Sequence, residues 1–547
     1  MFKKIISISL TALILCFIFT SCGDSIAGVD AQMIMPIDSD PGYLDPQICS
    51  STASLNIINN CFEGLVDVDA DGEIVAACAE SYEVSADGLT YTFYLRDDLQ
   101  WRMTTSATTL MSNDDGELEF DTQITAYDFA FALERAVSSE TLAPFVSSLF
   151  SIKNAEEIYN GEKSVSKLGV TVISDLVLEI ELETPDLDFL YTLSTSIAMP
   201  CSEEFFEATG GRYGLSTTYL IYNGAFYISS WSDDTSITAT KNTLYYDYDS
   251  VMPSSIYYSI NDEYDTRSTK VISGTYEVSP ILESQVSSIE ADKKSSLVSF
   301  ESSTFSMFFN CEDTLLGNPS LRQALVYSLD MDVINSEIDA TEASGILPST
   351  TMVTSLYYED LRGDLEFLDY DTTLSSTLYK EVLDTLDSYS LELTILCSQE
   401  NESMVRQLIQ SWQSAMGISL GLSVEAVDAT TLASQIESGD YQIAFADVNF
   451  TGSTAYNALS MFLTDSSENV FNYDSNDFND LMSEVKSSSS FSQMASYLTE
   501  AENLLLEDAV IVPLFEQEIY YGLADGVSGV YFNSTGEIVT FKYALRA

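Results

Sequence analysis

The sequence contains no histidine among its 547 residues. Histidine is the side chain that most readily changes its charge near neutral pH, and it is a common metal ligand. Its absence excludes Ser-His-Asp and Cys-His catalytic groups, HExxH zinc sites and imidazole general bases. Any catalysis would therefore depend on carboxylate, Lys, Tyr or Cys side chains.

Positive charge is also scarce, with 21 Lys and Arg residues against 85 Asp and Glu residues and a formal net charge of −64. Binding to nucleic acid or to anionic lipid headgroups depends on basic side chains. We therefore expect no nucleic-acid partner and no electrostatic contact with a membrane surface. Hydrophobic residues nevertheless make up 46% of the chain, which indicates a folded protein rather than a disordered acidic one.

Long apolar runs are absent after the N-terminal region, so no segment has the roughly 20 residues that a membrane-spanning helix needs. At the N-terminus, Lys3 and Lys4 precede an apolar run over residues 5–19, a length that fits a signal peptide. The run ends in Thr20-Ser21-Cys22, which resembles the lipobox of bacterial lipoproteins. We predict a signal peptide over residues 1–21 and lipidation of Cys22. The lipid would anchor the mature protein to the cell membrane, facing the extracytoplasmic side.

A metal-binding framework is missing as well. The acidic loop that begins at Asp67, Asp69 and Asp71 resembles half of a calcium loop, but Cys78 stands where a bidentate Glu is required. The other cysteines are widely spaced and form no CxxC pair. Export permits disulfides, whereas the apolar neighbours favour buried free thiols, so both states stay open. No cofactor and no metal site are predicted. These cysteines are Cys49, Cys61, Cys78, Cys201, Cys311 and Cys397.

The residue patterns that are present indicate a mixed α/β protein. A length of 547 residues suggests two or three domains. Alternating apolar residues predict strands over 89–96 and 176–182, and short strands over 391–397 and 441–446. Helical spacing predicts helices over 402–415 and 491–508 and another that begins after Asn318, which is a suitable N-cap before Pro319.

Eight short blocks, spread in order along the chain, resemble the signatures of one protein family. They are Leu44-Asp45-Pro46, Phe62-Glu63-Gly64-Leu65, Ala79-Glu80-Ser81-Tyr82, the run 87–96, Thr125-Ala126-Tyr127-Asp128-Phe129, Asn223-Gly224-Ala225-Phe226, Arg322-Gln323-Ala324-Leu325 with Leu329-Asp330-Met331, and Pro513-Leu514. The chain thereby resembles the family 5 extracellular solute-binding proteins, the oligopeptide-, dipeptide- and nickel-binding lipoproteins of ABC transporters.

The resemblance implies a two-lobed, periplasmic-binding-protein-like α/β fold with an extra inserted α+β domain and a hinge between the lobes. Lobe I would comprise residues 30–60, 186–282 and 510–547. The inserted domain would span residues 61–185, and lobe II would span residues 283–509. An insertion over 102–124 departs from the family pattern, and we expect a hairpin-like surface segment there.

The resemblance also implies where a ligand binds. The positions that follow the Leu-Asp-Pro block, which touch the ligand in relatives, are Ser50, Ser51 and Thr52. The loop that pairs an Asp with a peptide's ammonium group in relatives maps to Asp447, Val448, Asn449, Thr451 and Tyr456. Thr451 occupies the position of that Asp, so Asp447 is the nearest carboxylate that could replace it. A buried ammonium group needs such a partner.

The implied function is capture of oligopeptides and their delivery to the permease subunits of an ABC importer, by a monomer attached to the membrane only through its lipid. This function needs no catalysis, so the resemblance implies a protein that is not an enzyme. One alternative is a binder of a nickel complex or an oligosaccharide in the same fold. Another is a secreted glycoside hydrolase that uses two carboxylates.

Overall fold

A computed structural model describes residues 31–547 except 71, 262, 332–340, 355, 449, 451–453, 467 and 489. The predicted signal peptide, Cys22, Asn449 and Thr451 lie outside the described residues.

The strands of the described residues are short except for two. In chain order they are β1 Gln32–Ile37, β2 Val66–Val68, β3 Ile74–Ala76, β4 Ala79–Val84, β5 Thr90–Leu95, β6 Arg102–Met103, β7 Val170–Ser174, β8 Val177–Glu181, β9 Ile221–Tyr222, β10 Phe226–Ser232, β11 Ser236–Lys241, β12 Ser255–Ile260, β13 Val278–Ile281, β14 Ser296–Phe309, β15 Met352–Val353, β16 Leu356–Tyr357, β17 Leu391–Ser398, β18 Leu420–Val427, β19 Ile443–Val448, β20 Ile511–Leu523, β21 Val527–Ser528, β22 Tyr531–Phe532, β23 Val539–Thr540 and β24 Leu545–Arg546.

The helices are distributed over the whole described chain. In chain order they are α1 Thr52–Cys61, α2 Thr105–Leu110, α3 Ala126–Ala136, α4 Ala155–Tyr159, α5 Phe189–Ser194, α6 Glu203–Ala208, α7 Arg267–Ile272, α8 Glu283–Ala291, α9 Pro319–Val326, α10 Tyr358–Leu361, α11 Thr372–Thr385, α12 Glu402–Met416, α13 Ala429–Glu437, α14 Ala455–Ser460, α15 Asn476–Lys486 and α16 Phe491–Glu507.

The predicted elements form within a few residues of their expected positions. In β5 the side chains of Tyr91, Phe93 and Leu95 are buried, as their alternation predicts. At the start of α9 the Asn318 side chain accepts a hydrogen bond from the Ser320 amide at 3.0 Å, which confirms the N-cap. The 102–124 insertion contains the expected hairpin-like turn, in which Ser112 pairs with Leu118, and helix α2 before it, which the sequence did not predict. Thr104 caps that helix by accepting from the Ala107 amide.

Three sheets organise the molecule. A four-stranded sheet of order β1-β12-β11-β10 belongs to the first lobe, and a four-stranded sheet of order β4-β5-β8-β7 belongs to the inserted domain. These two sheets share one continuous core. The second lobe contains a six-stranded sheet of order β13-β20-β14-β19-β17-β18, with a separate apolar core on each face. The fold is therefore the predicted two-lobed α/β architecture.

The two long strands connect the lobes. β14 and β20 pair antiparallel from Ser296 opposite Leu523 to Phe308 opposite Ile511. Phe300, near one end of the pair, packs against the core of lobe I, whereas Phe305 belongs to a core of lobe II. These strands form the hinge connection. Two of the segments predicted for lobe I thus contribute β13 and β20 to the sheet of lobe II. The boundaries predicted for the two lobes and the inserted domain stay predictions.

The six cysteines of the described chain are free thiols, and all of them except Cys311 are buried. Within the described residues, none of the helices has both the length and the apolar character that crossing a bilayer requires. The same part of the chain contains no group of three or more His, Cys, Asp or Glu side chains placed to hold a metal ion.

Candidate functional site

A large cleft lies between the lobes, with a volume of about 2140 Å³. Its wall on the side of lobe I and the inserted domain comes from the start of α1, the β2–β3 hairpin, the loop 142–150 and the C-terminal segment 531–543. Its wall on the side of lobe II comes from Met352, Tyr357, α14 and the loop that follows α14. A ligand in this cleft would contact both lobes.

Helix α1 and the C-terminal segment form one rigid wall. Two buried asparagines on α1 hold this segment through its backbone. The Asn56 side chain donates to the Glu537 carbonyl at 2.9 Å and accepts from the Val539 amide at 2.8 Å. The Asn60 side chain donates to the Val539 carbonyl at 2.7 Å and accepts from the Phe541 amide at 2.9 Å. Three of these bonds are buried and the one to the Glu537 carbonyl is partly buried, so breaking one of the buried bonds would leave an unpaired polar group.

A network of polar side chains lies at the base of this wall. The Tyr245 hydroxyl donates to the Glu63 carboxylate, and the Lys542 ammonium donates to the Tyr245 hydroxyl at 2.9 Å. Lys542 also forms an ion pair with Asp247 at 2.8 Å. Burial, together with the nearby Asp67, raises the pKa of Glu63 to about 7, although Lys542 and Tyr245 oppose the change.

Aromatic side chains cover much of the cleft surface and come from both walls. Large aromatic rings can bind apolar and cationic groups without the strict geometry that a hydrogen bond requires. The lining rings are Phe145, Phe150, Tyr159, Tyr191, Tyr246, Phe300, Tyr357, Phe450, Tyr456, Tyr531, Phe532 and Tyr543.

The two sides of the cleft touch at Leu187 and Asp188. Leu187 packs against a core of lobe II. The Asp188 carboxylate, 3% exposed, accepts from the Thr354 amide of lobe II at 3.1 Å through Oδ1. Its Oδ2 has no hydrogen-bond partner among the described residues. Burial and the neighbouring Asp186 raise the pKa of Asp188 to about 7. This contact holds the lobes together in the structure.

The structure brings some of the predicted site residues to the cleft and leaves others away from it. Ser50, Thr52 and Tyr456 line the cleft. Ser51 is the N-cap of α1, where its hydroxyl accepts from the Ser54 amide at 3.2 Å, and it is not among the lining residues. Val448 is buried in a core of lobe II and does not line the cleft either.

Asp447 lies opposite Phe305 in the pairing of β14 with β19 and is not among the residues that line the cleft. It shares a strand face with Phe445, whereas Ala446 and Val448 point to the other face. The Asp447 side chain is exposed, yet the protein atoms around it remove part of its solvent and raise its pKa, and a hydrogen bond from Gln517 opposes that change. Pairing of Asp447 with a ligand's ammonium group stays a prediction.

Several family-signature residues build the scaffold instead of the cleft surface. Buried Asp45 forms an ion pair with Arg135, whose guanidinium also donates to Gln47 at 2.8 Å. The Asn223 side chain donates to the Glu63 carbonyl at 2.7 Å and accepts from the Glu63 amide at 3.1 Å. These contacts connect segments that are far apart in the sequence.

Sequence reasoning missed most of the cleft surface, including the C-terminal wall and the loop 142–150. The aromatic residues of these segments were visible in the sequence, but their spacing resembles that of residues packed in a core. Only the tertiary contacts of α1 with residues 537–541 show that the C-terminal segment faces the ligand region.

Comparison with known proteins gives the family. Residues 73–469 match the family described as bacterial extracellular solute-binding proteins, family 5 Middle. The chain belongs to this family. Members are extracytoplasmic proteins that bind solutes, as the signature blocks predicted.

Named relatives span almost the whole chain. The chain is 23% identical over 557 residues to "Oligopeptide-binding protein OppA" of Bacillus subtilis (strain 168), covering 98% of each protein. It is 25% identical over 517 residues to "Probable deoxycholate-binding periplasmic protein YgiS" of Escherichia coli (strain K12), covering 92% of this chain and 91% of the relative. The fold is similar to "Listeria monocytogenes OppA bound to peptide", with a TM-score of 0.75, 21% identity and coverage of 95% of this chain and 99% of that chain.

Proposed function

We propose that this family 5 protein captures oligopeptides in the cleft between its lobes and delivers them to the permease of an ABC importer. The observation that carries the proposal is the cleft itself. Its volume of about 2140 Å³ is roughly twice the upper end of the 300–1,000 Å³ range for sites that bind drug-sized ligands. A peptide of several residues would use that space, whereas a nickel complex would leave most of it unfilled.

The geometry suits capture by closure. Both lobes contribute lining residues, and the strands β14 and β20 connect them as a hinge. A ligand that contacts both walls binds the closed form better than the open form and shifts the population toward it. An extended peptide is held mainly through its main chain, which suits a binder that accepts many sequences.

Titration calorimetry with peptides of two, five and nine residues tests the proposal. We expect the five- and nine-residue peptides to bind with micromolar or lower Kd and the dipeptide to bind more weakly. Tyr456→Ala should weaken binding about tenfold, because it removes a lining ring from the lobe II wall. Tyr389→Ala is the matched control, because Tyr389 is 93% exposed and does not line the cleft. Failure of all three peptides to bind would refute the peptide proposal.

A second candidate ligand follows from the relative that is named as a deoxycholate binder. The aromatic lining of the cleft could also pack against the apolar face of a steroid. Deoxycholate is therefore the competing ligand in the same calorimetric series. Tight deoxycholate binding without peptide binding would favour this candidate.

The lipid anchor is part of the same proposal. We expect Cys22→Ala to abolish lipid attachment and to release the protein from the cell envelope. Without Lys3 and Lys4 of the signal peptide, the mature protein has 19 basic and 85 acidic residues and a formal charge of −66. This charge gives the protein no attraction to anionic lipid, so membrane attachment would depend on the lipid anchor. Fractionation of cells that express the variant measures this effect. A variant that stays wholly in the membrane fraction would contradict the predicted anchor.

A further inference from the structure

The contact between the two sides of the cleft depends on one buried carboxyl group. Asp188 lies at the N-cap of α5, and the next residue, Phe189, belongs to the core that lobe I shares with the inserted domain. Its Oδ1 accepts from the Thr354 amide of lobe II at 3.1 Å. Among the described residues, its Oδ2 has no hydrogen-bond partner and no Lys or Arg forms an ion pair with it. An ionised Asp188 is therefore a buried charge without a counterion, which is unfavourable.

The lobe II side of this contact is the turn of a short hairpin. Thr354 lies between β15 and β16, where Val353 pairs with Leu356. Its φ of +53° is unusual for a β-branched residue, and its buried Oγ1 has no hydrogen-bond partner among the described residues. Such a conformation persists only where the surrounding contacts hold it, and the bond to Asp188 is one of those contacts.

Both partners of the contact are adjacent to the ligand space. Met352 and Tyr357, on the two strands of the hairpin, line the cleft. Met352 also pairs with Thr454, the N-cap of α14, which lines the cleft too. On the opposite wall, Tyr191 of α5 lines the cleft one helical turn after Asp188. A ligand that draws the two walls together would therefore also make the Asp188 contact.

The surroundings favour the protonated form of Asp188 while the contact is made. Burial and the neighbouring Asp186 raise the pKa of Asp188 to about 7, whereas the Thr354 amide and the Thr454 hydroxyl oppose the rise. When the lobes separate, water can surround the carboxyl group, and its pKa would return toward the ordinary value of 3.8. The open and closed forms would thus differ in how tightly they hold one proton.

The other ionisable groups around Asp188 do not neutralise it. Burial raises the pKa of Asp186, and Lys486 on α15 opposes that change. The Lys486 ammonium lies 5.4 Å from the ring centre of Tyr456 on α14. Burial raises the pKa of Tyr191 to about 12, with a further contribution from Asp188, so this phenol stays neutral near pH 7.

We propose that Asp188 is a proton-dependent latch of the cleft, which takes up a proton when the lobes close on a ligand and releases it when they open. The proposal rests on the proposed peptide-binding function and adds regulation by pH to it. Between about pH 4 and pH 7, closure would take one proton from the solvent, so the affinity for the ligand falls as the pH rises through this window. Above pH 7, closure has to bury the charged carboxylate.

Calorimetry with a pentapeptide of uncharged side chains tests the proposal. Titrations in two buffers with different heats of ionisation give the number of protons taken up per peptide bound. At pH 5.5 the termini of the peptide do not titrate, since their pKa values are about 3.5 and about 7.8. We expect uptake of about one proton at pH 5.5 and less than about half a proton at pH 8, and a Kd that rises at least about tenfold from pH 5 to pH 7.5.

Two variants separate Asp188 from other carboxyl groups with a raised pKa, such as Glu63 and Glu301. Asp188→Asn retains an oxygen for the Thr354 amide but cannot ionise. It should lower the uptake at pH 5.5 by about one proton and keep the Kd within about twofold from pH 5 to pH 7.5. Asp87→Asn is the matched control, because Asp87 is exposed and lies outside the cleft. It should behave like the wild type.

The possible results lead to different conclusions. Binding of the peptide by the wild type without proton uptake at pH 5.5, or with proton release, would overturn the latch and leave the peptide function intact. This measurement does not depend on the folding of any variant. Uptake that survives Asp188→Asn would overturn the role of Asp188. Absence of peptide binding at every pH would instead contradict the proposed function itself.

Discussion

Asp188 is a buried carboxylate at the contact between the two sides of the cleft, and its pKa of about 7 makes its charge depend on pH near neutrality. This value lies above the ordinary value of 3.8, so between about pH 4 and pH 7 the folded protein keeps a proton that the unfolded chain releases. The contribution of Asp188 to stability therefore falls as the pH rises through this window. Above pH 7 the full cost of the buried charge is present.

Asp188→Asn removes this cost and retains an oxygen that can accept from the Thr354 amide. We expect the variant to gain about 2–4 kcal/mol relative to the wild type on going from pH 4 to pH 8, since each pKa unit corresponds to about 1.4 kcal/mol. Denaturant unfolding at the two pH values measures the gain. Asp87→Asn is the control, because hydrogen bonds from Ser85 and Leu89 lower the pKa of this exposed carboxyl. A gain for Asp188→Asn that does not depend on pH would contradict the account.

Asp447 provides a second test at the scale of single residues. If it pairs with a peptide's ammonium group, Asp447→Asn should weaken the binding of free-amine peptides by about 2–4 kcal/mol, the range for losing one partner of a buried charge pair. N-acetylated peptides should lose much less, because they carry no ammonium charge. Calorimetry with matched free and acetylated peptides measures both losses. Equal losses, or none, would remove Asp447 from the site.

The sequence predicted scaffold residues better than site residues, for a physical reason. Asn318 was identifiable as an N-cap because a cap depends on the residues next to it. Whether Asp447 or Tyr456 reaches the ligand depends on which face of a sheet or helix meets the cleft. Two neighbouring residues of a strand point to opposite faces of the sheet, so an error of one position reverses the prediction. No local sequence pattern predicts the C-terminal wall of the cleft, since its place is set by hydrogen bonds with Asn56 and Asn60 of α1, far away in the sequence.

At the scale of elements, the end of α16 is stabilised by a signature residue of a different helix. Arg322 on α9 is 3% exposed and donates to the carbonyls of Leu316, Asp508 and Ala509 at 2.7–3.1 Å. The last two of these acceptors follow α16, where helix carbonyls lack partners. A guanidinium supplies several donors in a fixed arrangement, which a neutral side chain cannot do.

Arg322→Met should therefore destabilise the protein by about 3 kcal/mol, since buried hydrogen bonds to charged donors are worth about 1.5–3 kcal/mol each and part of the loss is recovered by relaxation. Gln323→Met is the matched control, because the adjacent Gln323 donates to the Glu507 carbonyl at 2.8 Å from an exposed position. It should cost less than about 1 kcal/mol. Chemical denaturation measures the free energy of unfolding of both variants. Equal losses of stability would contradict the role of the buried Arg322 hydrogen bonds.

The positions of helices and strands were predictable wherever the apolar periodicity continued over the whole element. The helices α12 and α16 and the strands β5 and β8 appear close to their predicted ranges because their apolar faces are buried as the pattern requires. The short helix α2 was missed, because its Thr- and Ser-rich sequence has low helix propensity and the helix depends on the Thr104 cap and its tertiary contacts.

At the scale of the whole molecule, the excess of negative charge should destabilise the folded state. The mature chain has a formal charge of −66 from 19 basic and 85 acidic residues, and like charges in a compact body repel one another. Raising NaCl from about 10 mM to about 150 mM shortens the screening length from about 30 Å to about 8 Å. We expect the melting temperature to rise by several degrees over this interval and to level off above it. An unchanged or falling melting temperature would contradict this expectation.

The overall architecture was predictable because the family signatures lie at contacts between distant segments, such as Asn223 with Glu63. The ligand was not predictable in the same way, because the lining residues of the cleft come from both lobes and from the C-terminal segment. Their combined surface exists only in the folded molecule.

The central claim is that the cleft between the lobes holds oligopeptides. The most direct test is mass spectrometry of the small molecules released by denaturing the protein after its purification from its own host under native conditions. We expect a mixture of peptides several residues long, present at close to one peptide per protein molecule and strongly reduced in Tyr456→Ala. Release of a nickel complex, a bile acid or an oligosaccharide in place of peptides, or of no ligand at all, would contradict the account.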